Sequence, residues 1–158
     1  MAAVSVYRTS VQPDWIDYNG HLRDAYYVLV LSLATDALMD RIGLDEAYRR
    51  RTGCTLYSLE MHMHWLSEVK GSDTLEVDAH LIDADRKRLL VGFGVRVAGR
   101  DGLAATGEFV FLHFRQGANP GSAPFPPEVG AAIDALRTAP GAAPWAGPGS
   151  RALSLAKR

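Results

Sequence analysis

Cysteine is nearly absent: Cys54 stands alone in 158 residues, so no disulfide can close within the chain and no Cys-x-x-Cys pair offers zinc or dithiol chemistry. That fits a reducing compartment, and a cytoplasmic location is expected. An excess of either charge is also missing. The net charge is -1, which provides no basic field for nucleic acid or an anionic membrane. The most apolar stretch, Ala25 to Leu33, falls well short of the roughly 20 residues that a membrane-spanning helix needs, and Asp24 and Asp36 bound it. Met1 to Val11 alternates apolar and polar residues, without the basic leader and apolar block of a signal peptide. Gly-x-Ser-x-Gly, the P-loop and Gly-x-Gly-x-x-Gly do not occur, which removes the familiar serine-hydrolase, nucleotide-phosphate and dinucleotide sites. What remains is a small-molecule partner handled by carboxylates and histidines, with no metal and no cofactor expected.

With 47% hydrophobic and 22% charged residues, the chain has enough apolar material for one domain, expected over residues 1–137, with a Gly-, Ala- and Pro-rich tail over 138–158. Val4 and Val6 stand at strand spacing, and Gln12-Pro13 ends that strand in a loop. From Leu22 to Ile42 there is no Gly or Pro, Asp24 suits the first turn and Gly43 supplies a stop, so one long helix is expected. Its apolar residues spread around nearly the whole circumference, which predicts a helix surrounded by other structure. Asp45 to Arg51 reads as a short charged helix. Its Arg49-Arg50-Arg51 run suits a solvated face or contact with nucleotide phosphates. Thr55–Val69, Thr74–Asp83, Arg88–Val97 and Leu103–Arg115 alternate with period two and read as four strands of an antiparallel meander. Pro126 to Arg137 suits a short amphipathic helix. The order is β-α-β-β-β-β, an α+β fold in which a curled sheet can wrap the helix.

Asp17 lies just before the long helix, four residues ahead of His21, where backbone N–H groups lack intrahelical partners. Hydrolysis of an acyl group needs a residue that attacks or activates water and donors for the oxyanion, and one loop can supply both. Asp17 would be base or nucleophile, and amides around Gly20 to Arg23 the donors. The same acid serves equally as a helix N-cap with no chemistry, and His21 can orient the loop, touch substrate or cap the turn. Glu60, His62 and His64 share one face of a strand. They suit a solvent-facing surface, an acid/base pair or a His-x-His metal site, although no third and fourth ligand can be identified.

The stretch Asp14-Trp15-Ile16-Asp17-Tyr18-Asn19-Gly20-His21, followed by Ala25-Tyr26-Tyr27, resembles the start of the 4-hydroxybenzoyl-CoA thioesterase-like branch of the hotdog superfamily. Leu56-Tyr57-Ser58-Leu59-Glu60-Met61-His62, Asp85-Arg86-Lys87-Arg88-Leu89, Ala104-Ala105-Thr106-Gly107-Glu108 and Pro124-Phe125-Pro126-Pro127-Glu128 resemble the thioesterases of carnitine breakdown, which act on betainyl-CoA. The resemblance covers roughly residues 5–137. It implies a hotdog fold, with a long central helix wrapped by a curved antiparallel sheet of about five strands. It also implies hydrolysis of a small acyl-CoA to free acid and CoA by a homodimer or homotetramer with sites between protomers. Asp17 becomes the catalytic carboxylate, His21, Glu60 and His62 join it, and Gly20, Leu22, Arg23, Tyr27 and Ser58 are implied as oxyanion or substrate-binding residues.

Two departures bear on the substrate: Arg23 stands where relatives usually carry Asn, and Met61-His62-Met63-His64-Trp65 is bulky enough to narrow an acyl pocket. Trp15, Tyr18, Tyr26, Tyr27, Tyr57 and Trp65 can cage a quaternary ammonium or simply fill a core. The rival readings are a hydratase or dehydratase of the same fold, in which His62 and Glu60 move protons, and a non-catalytic acyl-CoA-binding protein.

Overall fold

The computed structural model describes residues 3–138 together with Trp145 and Gly147. Of the tail expected over 138–158, Thr138 closes the last helix, and the remainder apart from Trp145 and Gly147 lies outside the described residues. In chain order the elements are β1 (Ala3–Ser10), α1 (Asp24–Arg41), α2 (Glu46–Thr52), β2 (Cys54–Trp65), β3 (Thr74–Ala84), β4 (Arg88–Val97), β5 (Ala105–Arg115), β6 (Gly121–Ser122) and α3 (Pro127–Thr138). The sheet is antiparallel with strand order β1-β3-β4-β5-β2, and the two-residue β6 pairs with β5. A long helix against a curled antiparallel sheet is the hotdog architecture that the resemblance implied.

The meander is shorter than the alternation suggested. Only β3, β4 and β5 follow one another; β2 pairs with β5 across the sheet, and β1 takes the edge of β3. The reason is the link between β2 and β3, residues 66–73, which is no tight turn. It runs past the start of α1, where Val69 accepts the Leu22 amide at 2.8 Å and Lys70 bridges to His21.

The burial of α1 also differs from expectation. Tyr27, Val30, Leu31, Ala34 and Leu38 are buried at spacings of three and four residues, one face of a 3.6-residue helix. Ala25, Leu29, Ser32, Asp36 and Asp40 form an exposed stripe on the other side, with Leu29 40% accessible. The sheet cradles one side of α1 and does not enclose it, because a single sheet curls around only part of a cylinder. At Gly107 the approach is tight: a Cβ would sit 2.5 Å from Leu31 Cδ1 and 2.9 Å from Met63 Sδ. Glycine there lets the fully buried Leu31 seat against β5, a burial that contributes about 1.5–3 kcal/mol.

Cys54 is buried as a packing residue. The arginines of α2 are engaged locally: Arg49 donates to the Leu44 carbonyl, Arg50 pairs with Glu46 and Arg51 lies over the Tyr48 ring. Buried His113 ties α2 to the β6 segment. Its Nδ1–H donates to the Ala123 carbonyl at 2.9 Å, so Nε2 accepts from the Tyr48 hydroxyl at 3.0 Å. Among the described residues no helix is long and apolar enough to cross a membrane.

Candidate active site

The Asp17 loop is a small hairpin folded on itself. Ile16 and Leu22 form an isolated bridge, the Asp17 amide donates to the His21 carbonyl at 2.8 Å, and the Gly20 amide donates to the Asp17 carbonyl at 3.1 Å. Gly20 has φ of 81°, the left-handed conformation that favours glycine, which is why the loop can turn so sharply. The Asp17 carboxylate completes the turn through one oxygen: Oδ1 accepts from the amides of Asn19 at 2.8 Å and His21 at 3.1 Å. No described partner touches Oδ2. The His21 amide chiefly holds the carboxyl below its ordinary value, against partial desolvation, with help from the Asn19 amide and the nearby charges of His21 and Arg23.

This geometry removes the N-cap alternative. The N-cap of α1 is Arg23, which makes no side-chain cap, and the amides Asp17 holds belong to its own loop. It also moves the available donor. The amides of Gly20, His21, Leu22 and Arg23 are bound to the Asp17 carbonyl, Asp17 Oδ1, the Val69 carbonyl and the Trp15 carbonyl, so none is open to substrate. In the first turn, the Ala25 amide reaches Asp24 Oδ1 and the Tyr26 amide reaches the Arg23 carbonyl. The amide of Asp24 has no described acceptor and stands at the positive end of the helix dipole.

Asp24 lines an open cavity of about 320 Å³ together with His21, Leu22, Tyr27, Trp65, Glu68 and Val69. Glu68 Oε2 lies 3.2 Å from His21 Nε2 and orients the imidazole. Glu68 was missed in the sequence because it sits in what reads as the end of a strand; only the register of residues 66–73 against the loop reveals it. Of the six candidate cage aromatics, Tyr27 and Trp65 line this cavity. Trp15 stacks on Tyr26 at 5.4 Å, Tyr57 stacks on Phe114, and Tyr18 is 93% exposed.

The remaining candidates lie apart. Ser58 lines a separate cleft of about 520 Å³ between α1 and β2. Glu60 and His62 meet at 2.7 Å, but on the side of β2 opposite Met61 and Met63, the face turned away from α1. No described contact links that pair to Asp17. Arg23 is exposed; its side chain makes no described hydrogen bond or ion pair, and its charge acts on Asp17 only through space. Among the described residues no cluster of three or more His, Cys, Asp or Glu side chains is arranged to hold a metal ion.

Comparison with known proteins places this geometry in context. The profile of the thioesterase-like superfamily matches residues 11–133. The betainyl-CoA thioesterase of Pseudomonas aeruginosa is 45% identical over 141 residues, 89% of this chain and 88% of that one. A protein of Pseudomonas putida KT2440 proposed to be a thioesterase has a solved structure with a TM-score of 0.79 and 39% identity, covering 98% of this chain and 99% of its own. The Staphylococcus aureus protein SAV2348, solved in complex with CoA, superposes with a TM-score of 0.86 at 25% identity over 98% of each chain.

Proposed function

Because the chain belongs to the thioesterase-like superfamily and is an acyl-CoA thioesterase, we propose that its substrate is betainyl-CoA and that the Asp17 loop and the first turn of α1 form its catalytic centre. One observation carries this reading: among the described residues Asp17 Oδ2 has no partner, and neither has the first amide of the helix that follows, that of Asp24. The thioester carbonyl oxygen accepts from the Asp24 N–H, and the helix dipole stabilises the charge that develops there. Asp17 takes a proton from water as hydroxide adds to the carbonyl carbon, or its carboxylate adds directly to give an anhydride that water then opens. The carbon–sulfur bond breaks, the CoA thiolate departs, and His21, oriented by Glu68, hands it a proton.

The acyl group suits the cavity by charge and shape. A trimethylammonium favours an aromatic face and a nearby carboxylate, and Trp65 with Glu68 offers both. Glu60 and His62 take no part in this reading; they form a hydrogen-bonded pair on the far face. The free edge of β2 carries exposed Leu59, Met61 and Trp65, and Leu66 follows it. We assign that edge to a homodimer, in which a second copy covers the apolar strip and closes the cavity wall formed by Trp65 and Leu66. The CoA substrate and the lone cysteine fit a cytoplasmic setting.

The test is release of free thiol from a panel of betainyl, short-chain and aromatic CoA thioesters. Betainyl-CoA should give the highest kcat/KM, and Trp65→Ala should raise its KM more than that of a neutral acyl-CoA. A changed acyl group without thiol release would instead favour the hydratase. A single turnover in 18O-water tests the nucleophilic role of Asp17, since label in its carboxylate requires an anhydride that water opens at the aspartyl carbon.

A further inference from the structure

The link between β2 and β3 ends in an aspartate whose side chain is only 6% exposed. Both carboxylate oxygens of Asp73 are occupied: Oδ2 accepts the Lys70 amide at 2.8 Å, and Oδ1 accepts from Arg100 Nη2 at 2.7 Å. The main chain closes the same turn, since the Asp73 amide donates to the Lys70 carbonyl at 3.0 Å. The Asp73 carbonyl accepts the Val11 amide, also at 3.0 Å, which ties the turn to the end of β1, where the chain departs for the Asp17 loop. Arg100 reaches in from the connection between β4 and β5, with its own amide bound to the Val97 carbonyl. One residue thus joins the link, the end of β1 and the β4–β5 connection. Its charge also reaches the cavity at Tyr27, whose phenol is pushed above its ordinary value chiefly by burial and further by Asp73.

The residues just before Asp73 grip both arms of the Asp17 loop. On the arm after Asp17, Lys70 bridges to His21, the Val69 carbonyl accepts the Leu22 amide at 2.8 Å, and Glu68 Oε2 stands 3.2 Å from His21 Nε2. On the arm before it, Ile16 packs on Gly71, where a Cβ would lie 3.3 Å from Ile16 Cγ1. No described bond of Asp73 reaches Asp17 or His21, but its carboxylate fixes the backbone that does. A buried carboxylate needs its partners, so losing one of them loosens the turn. We infer, on the catalytic reading of the Asp17 loop, that Asp73 is a positioning residue, held by Arg100, that sets where this loop stands against α1 and the cavity.

The experiment pairs amide hydrogen exchange with steady-state thiol release. In Asp73→Asn one of the two bonds must go, because the new NH2 group cannot accept from either donor. The Asp17 and Leu22 amides should then exchange about 10-fold faster, while the Val91 and Phe93 amides of the central strand β4 keep wild-type rates. The kcat should fall about 10- to 100-fold at nearly constant KM, the loss expected when a change outside the reacting centre misplaces its groups. Arg100→Gln, at a half-exposed side chain, should show the same pattern more weakly and serves where Asp73→Asn does not fold. Arg100→Lys, which keeps a cation for Oδ1, should recover most of the kcat. Faster exchange in the loop with wild-type kcat would overturn the catalytic reading of the loop while supporting Asp73 as its anchor. Unchanged exchange at Asp17 and Leu22, equal acceleration at Val91 and Phe93, or an Arg100→Lys protein no better than Arg100→Gln would overturn the positioning role.

Discussion

Two aspartates in this molecule organise two turns by the same device, and only one of them is left with something to do. Asp17 and Asp85 each accept two backbone amides through Oδ1, from Asn19 and His21 in one turn and from Lys87 and Arg88 in the other. At Asp85 the second oxygen is also taken, by the guanidinium of Arg88 at 2.7 and 2.6 Å. The Lys87 amide and the Arg88 side chain pull that carboxyl down to about 2. At Asp17 the charge is stabilised less completely, and among the described residues neither Oδ2 nor the first amide of the next helix has a partner. A lowered pKa and a well-formed turn therefore do not mark a catalytic carboxylate. What distinguishes Asp17 is a second oxygen with no partner among the described residues.

The comparison is broken most sharply by substitution. Asp17→Asn should lower kcat by about 100- to 10,000-fold, whereas Asp85→Asn should leave kcat unchanged; steady-state thiol release on both proteins measures this. A comparable loss in both would mean that turn integrity, not the open oxygen, supports activity. The next largest effect should follow removal of the donor. Asp24 is the first residue of α1, and Arg23 before it is already extended at ψ of 144°, so Asp24→Pro fits the backbone while deleting the amide hydrogen. We expect kcat to fall about 100- to 1,000-fold with little change in Tm.

Gly20→Ala tests the loop itself. Nothing lies within 4 Å of the new methyl, so the cost is that of placing an ordinary residue at φ of 81°, about 1 to 2 kcal/mol by urea denaturation. The smallest effect is on the pH profile. Because the folded pKa of Asp17 is depressed, its carboxylate is ionised above 3.8 and is lost only as pH falls through a lower value. The acid limb of kcat/KM should accordingly lie below 3.8, and a limb above that value would assign it to a different group.

The strands were legible in sequence because alternation is local: Arg88–Val97 was delimited residue for residue. Their pairing was not, since β2 reads the same whether it joins β3 or β5, and only the long link over 66–73 excludes the hairpin. The spread of apolar residues around α1 predicted enclosure, yet Leu29 faces outward, because periodicity counts hydrophobic positions without revealing how far a sheet curls. At the site, the sequence marks Asp17 by its place before a helix and offers the Gly20 to Arg23 amides as donors, and in the structure each of those amides meets an acceptor within the protein. The partners of the Gly20 to Arg23 amides include the carbonyl of Val69, which no local pattern connects to them. Trp145 was overlooked for a similar reason. Its indole packs over Gly92 of β4 and donates to Glu108 of β5, and within a Gly- and Pro-rich stretch it has no periodic neighbours.

The hydrogen bond from Leu22 to Val69, with the bridge from His21 to Lys70, also bears on the order in which the molecule assembles. A turn that closes on its own residues can form early, but this one is completed by a segment far along the chain, after loop-closure entropy has been overcome. The Asp17 loop is therefore among the last parts to settle. With the proposed catalytic centre in that loop, turnover has to wait for β2 and β3 to be placed, so partly folded molecules should be silent rather than promiscuous, and recovery of activity should mark the end of refolding rather than its collapse.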